Sequence, residues 1–156
     1  MKALARDVDL CLPLFRFEHE FLEAHGVVSA WRGHPLADGF ASVAPSPPPL
    51  EASRIALLPG SRRSEIRRLL PTLRESASQL QAEGFSPVFS VAPGLSDDLK
   101  EWMKRELRGM EIFEGEGREL LAGSAAAAGA SGTVAVEAML LDRFMVVLYK
   151  TGFLSE

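Results

Sequence analysis

One cysteine, Cys11, in 156 residues excludes an internal disulfide and fits a reducing compartment. No apolar run approaches the roughly 20 residues of a membrane helix, and the N-terminus carries no signal-peptide pattern. Positive charge is not in surplus: 17 Lys and Arg stand against 21 Asp and Glu, a formal net charge of −4. General nucleic-acid binding, which needs a basic excess, is therefore not expected. What remains is a hydrophobic content of 47% beside a charged content of 24%, the balance of a soluble globular chain long enough for one ordinary core.

The chain reads as a series of short elements without internal repeats. Asp9 to Leu14 reads as a strand leading into a helix through Phe17, Phe21 and Leu22, with Gly26 ending it. Val27 to Trp31 reads as a further strand closed by GHPLAD. Residues 41–53, with Pro45, Pro47, Pro48 and Pro49, read as an extended, semi-rigid linker. The domain boundary is placed there, leaving 1–40 as the end of one domain and 54–156 as a second. Beyond it strands at 54–58, 86–92, 110–113, 124–128 and 144–149 alternate with helices at 62–83, 97–108, 117–122 and 133–141. Such alternation predicts an α/β fold: a Rossmann-like parallel sheet with helices on both faces.

Two stretches carry chemistry. Ile55 to Leu58 end abruptly at Pro59 and Gly60, and from Ile66 the apolar residues take helical spacing through Leu69, Leu70, Leu73, Ala77 and Leu80. Gly60, Ser61 and Arg62 thus lie over a helix N-terminus, where free N–H groups and the helix dipole favour a phosphate. Residues 124–140, SAAAAGASGTVAVEAML, repeat the grammar, with Gly129, Ser131, Gly132 and Thr133 as the turn. Ser131 and Thr133 can cap the helix or bond a phosphate oxygen. Glu137, one turn in, can accept hydrogen bonds from sugar hydroxyls. Two such corners in one sheet predict a nucleotide-diphosphate crevice. The blander reading of each corner is an ordinary βα turn.

LLPGSRRSEI, GASGTVAVEAML followed by MVVLYK, and the upstream LPLFRFEHEF and WRGHPLAD together resemble the lipid-A-disaccharide synthase family, over nearly the whole chain. The resemblance implies a two-domain, GT-B type glycosyltransferase. Its reaction would move an acylated glucosamine from a UDP-linked donor to an acylated glucosamine-1-phosphate acceptor, releasing UDP. It implies that Arg62 neutralises diphosphate charge and that Glu137 binds the ribose, with no cofactor beyond the donor itself. It further implies a cytoplasmic enzyme at the inner-membrane face of a Gram-negative bacterium, with room for a homo-oligomer. The chain departs from the family in extent and in Phe144, where proline is usual. It reads as a central and C-terminal fragment whose catalytic base lies elsewhere, so no catalytic residue is assigned.

Alternatives stay open: another UDP-sugar enzyme of the same fold, such as an epimerase or a peptidoglycan glycosyltransferase, or a non-catalytic nucleotide-binding module. His34, at a strand end in GHP, is either a cleft contact or a structural histidine. Arg63, Arg67 and Arg68 read as a solvated helix face, with an anionic lipid surface as the alternative. Gly115 to Gly117 form a turn that can reach the cleft mouth, and Tyr149 and Lys150 close the last strand without an assigned role. The histidines of HEFLEAH are six apart and share no helix face, and Asp7-Val8-Asp9 precedes its strand, so no metal is expected.

Overall fold

A computed structural model of the chain describes residues 1–41 and 51–150, and the chain divides into units Met1–Ala44 and Pro45–Glu156. The first unit holds helices α1 (Lys2–Asp7), α2 (Arg16–Ala24) and α3 (Pro35–Ala41). At the start of α2 the Glu18 carboxylate accepts the Phe15 N–H at 3.0 Å, the glutamate half of a capping box. At its end the Val27 N–H reaches back past Gly26 to the Leu22 carbonyl at 3.0 Å.

The two strands expected at 9–14 and 27–31 reduce to one parallel bridge, Cys11 to Ser29. Pro13 has no N–H with which to continue a ladder, and a pair of segments alone is marginal. GHPLAD, read as a loop, opens α3 instead. Pro35 suits a first helical position, where its missing N–H is not needed. Most of the expected linker, residues 42–50, lies outside the described residues.

In the second unit the order is β1 (Glu51–Leu58), α4 (Arg63–Ala82), β2 (Ser86–Ser90), α5 (Asp97–Glu106), β3 (Glu111–Phe113), α6 (Gly117–Ala122), β4 (Ser124–Ala130), α7 (Thr133–Leu140) and β5 (Phe144–Leu148). The strands form one sheet in the order β3-β2-β1-β4-β5, with every pairing parallel. β1 starts three residues before the expected strand and β4 runs two residues beyond it. The extension takes Gly129 and Ala130 out of the turn and into the ladder.

Side-chain alternation along β1 divides the core. Leu57 joins Phe89, the α4 residues Ile66, Leu70 and Leu73, and the α5 residues Leu99 and Met103. Ala56 and Leu58 join Val88, Leu120 and Leu121 of α6, and Ala138 of α7. Helices therefore cover both faces, the arrangement of a doubly wound sheet. Pro71 sits inside α4 on its exposed side, where water can serve the carbonyl that its ring leaves unpaired. Gly84 follows the helix end, and the Phe85 N–H returns to the Leu80 carbonyl at 2.9 Å.

Small residues bring the central strands together. Gly129 stands opposite Leu58 in the ladder, and a Cβ there would collide with the Leu58 backbone oxygen. Gly129→Ala should cost about 1–3 kcal/mol through overpacking. Gly94→Ala, where nothing lies within 4 Å, should stay within about 0.5 kcal/mol of the parent. Urea unfolding of both variants checks this; equal midpoints would refute the close approach.

Candidate functional site

The strand order places β1 and β4 side by side while their following helices cover opposite faces. That is the switch point of a doubly wound sheet, where the turns beyond the two carboxyl ends part and leave a crevice. Here a cavity of about 380 Å³ opens. It is lined by Gly60, Ser61 and Arg62 after β1, and by Ser131, Gly132, Thr133 and Glu137 after β4. All seven residues expected of the nucleotide site on the second unit meet around this one space. The eighth candidate, His34, belongs to the first unit. Its Nδ1 accepts the Leu36 N–H at 3.2 Å, and its ring lies 5.4 Å from that of Phe15, centroid to centroid. These contacts make it a helix cap for α3.

The turn after β1 has a defined local cause. Gly60 adopts φ +110°, a conformation that side chains disfavour. The N-cap of α4 is Arg62 and that of α7 is Gly132, and neither helix start carries a side-chain cap. Of the two roles open to Ser131 and Thr133, capping the helix is not taken up; both are exposed at the cavity rim. The first N–H groups of both helices stay without an intrahelical acceptor, and the positive ends of two dipoles face one crevice.

The two adjacent arginines are in different states. Arg63 donates to the Asp98 carboxylate and, at 3.3 Å, to the Ser96 hydroxyl. Ser96 first, and then Arg63, hold the Asp98 carboxyl below its ordinary range. Arg67 lies over the Trp102 ring at 5.4 Å from its centroid. The Arg62 side chain, in contrast, forms no hydrogen bond or ion pair among the described residues, and it is exposed at the cavity. A neighbouring pair of arginines thus divides between a surface clamp and an unengaged cation.

Glu137 is half-buried on α7, and its carboxylate forms no hydrogen bond or ion pair among the described residues. Burial raises its pKa above the ordinary 4.5; the Arg118 charge opposes this shift and the Glu116 charge adds to it. The cavity lining also includes Glu65, Ser90 and Gly117, which were not among the seven. Ser90 ends β2 beside β1, a polar residue closing a buried apolar strand, and that was its signal. Gly117 belongs to the GEG turn expected near the mouth. Glu65 stands three residues after the N-cap, the spacing at which a glutamate reaches back to a helix start. Tyr149 and Lys150 do not line the cavity.

Among the described residues no three His, Cys, Asp or Glu side chains converge as a metal-binding group. Among them too, no helix is long and apolar enough to cross a membrane.

A Rossmann-like α/β domain with a crevice at its switch point defines the class of this protein. Residues 1–155 match the family model described as lipid-A-disaccharide synthetase. The chain is 38% identical to the lipid-A-disaccharide synthase of Anaeromyxobacter sp. (strain K), over 99% of this chain and 43% of that protein. It is 36% identical to that of Myxococcus xanthus (strain DK1622), with the same coverage. For that of Acinetobacter baylyi the identity is 35%, over 99% of this chain and 44% of the relative. The chain belongs to the lipid-A-disaccharide synthetase family, and it spans about two fifths of the length of these curated relatives.

The buried carboxylate gives a test with a sign. A raised folded pKa means that ionised Glu137 opposes folding, so its stability contribution is lost as pH rises through the folded value. Glu137→Gln should melt at or above the parent temperature at pH 7, and the difference should vanish in acid below the ordinary glutamate range. Thermal melts across that window check it; a variant less stable than its parent at pH 7 would contradict the assigned cause.

Proposed function

We propose that the cavity holds the diphosphate and ribose of a UDP-linked acylated sugar, and that the protein serves transfer of that sugar. The acceptor in this reading is an acylated glucosamine-1-phosphate, and the product is the lipid A disaccharide with release of UDP. The observation that carries the reading is the convergence on a single space of two glycine turns, two uncapped helix starts and one arginine whose side chain has no partner among the described residues. Family membership supports the choice of sugar and acceptor.

In this mechanism Arg62 makes the charge-assisted contact to the diphosphate, a bond worth roughly 1.5–3 kcal/mol. The helix starts at Arg63 and Thr133 take up charge as it develops on the leaving diphosphate. Glu137, whose carboxylate is short of partners, accepts the ribose hydroxyls. These hydrogen bonds strengthen with the ionised form, so ligand and low proton affinity favour one another. The donor is the substrate and no further cofactor enters. Work at the cytoplasmic face of the inner membrane suits a lipid acceptor, and a homo-oligomer is compatible with it.

Isothermal titration of the full-length protein with UDP, UMP and ADP tests the proposal. Arg62→Ala should lower UDP affinity by about tenfold or more while moving the melting temperature little, because its guanidinium has no hydrogen bond or ion pair among the described residues. Undiminished UDP affinity in this variant would sink the assignment. Glu137→Gln should weaken UDP and uridine alike; preserved binding would remove Glu137 from the ribose.

A further inference from the structure

The cavity contains an anion of its own. Glu65, the third residue of α4 and half-buried, directs Oε2 at the Ser61 N–H, 3.4 Å away. Its carboxylate leans over Gly60 so closely that a Cβ on that glycine would collide with it. No ion pair holds Glu65 among the described residues. A peptide N–H on a glycine turn at a helix start is the donor that a phosphate oxygen takes. Here a carboxylate oxygen takes it, through a long bond that gives way readily.

Building on the nucleotide reading above, we infer that Glu65 is an internal stand-in for the phosphate. It occupies the anion seat of the empty turn and has to swing aside when the diphosphate enters. Two anions cannot share one set of donors a few ångströms apart, and the long, rotatable glutamate is the one free to leave. Glu65 is therefore a positioning residue that acts through the turn. It keeps the Ser61 amide and the Gly60 corner in place without a ligand, and it opposes occupancy in proportion to ligand charge. A ligand with a diphosphate feels this opposition fully; a nucleoside without phosphate does not.

Titration of the full chain with UDP, UMP and uridine, as wild type and as Glu65→Gln, decides the matter. Glutamine keeps the size and an oxygen acceptor for the Ser61 amide but drops the charge. UDP should bind roughly fivefold more tightly to the variant, with a smaller gain for UMP and none for uridine. Should the glutamine variant not fold, Glu65→Ala is expected to act in the same direction. UDP affinity unchanged or weakened, in a protein whose wild type binds UDP, would overturn the inference and leave the nucleotide reading standing. An equal gain for UDP and uridine would also overturn it, since charge would not be the cause. No UDP binding by wild type and variant alike would remove both.

Discussion

The pairing of β1 with β4 is the constraint on which the site depends. These strands are sequence-distant, yet their ladder sets Leu57 against Ala128 and Leu58 against Gly129. It is the point at which strand order reverses, so the turns that follow diverge to opposite faces and a space must open between them. Alanines along β4 and the absent Cβ of Gly129 allow the backbones to approach. Bulk on β4 would separate the two corners by moving the strands that carry them. Packing and ligand geometry are the same fact here, read at two scales.

Charge at the crevice is arranged by engagement more than by number. Arg62 and Arg63 are adjacent on the chain, but a helix start turns them apart. Asp98 and Ser96 hold Arg63 between the beginnings of α4 and α5, and Arg62 is left to the cavity. The two lining carboxylates also differ. Glu137 stands on an apolar helix and has lost water, which raises its pKa. Glu65 has a backbone N–H within reach. One carboxylate is short of donors while the other competes for them, which separates a group suited to bind hydroxyls from one suited to yield.

Much of this was legible in the sequence, for physical reasons. Apolar run, glycine turn and helical periodicity were distinct between Ile55 and Leu80, because a buried parallel strand and an amphipathic helix carry different periods. The same contrast fixed the later strands and α6 within a few residues, and so brought seven site residues into one place. Illegible were the features that depend on partners distant in sequence. The segments around Cys11 and Ser29 have strand composition, but one bridge is all they form. Gly129 looked like a turn residue, since a strand glycine required by its neighbour's backbone cannot be told from a turn glycine without that neighbour. His34 stood beside an expected cleft, yet its nitrogen is occupied by a helix it starts itself.

Gly60 shows how far a motif alone can carry an argument. A glycine before a helix is usually taken as room for a phosphate, but at this corner a carboxylate from the same helix already fills that room. The positive φ favours glycine even in a protein that bound nothing, whereas the flexible Glu65 side chain could swing clear of a Cβ. The turn is thus explained by its backbone conformation and, in the proposed reading, by a ligand as well. What bears on the second explanation lies beside the glycine: an arginine side chain without a partner among the described residues, a second uncapped helix start and a space that both line. Those features are what the proposed reading rests on, and the glycine turn alone would not supply it.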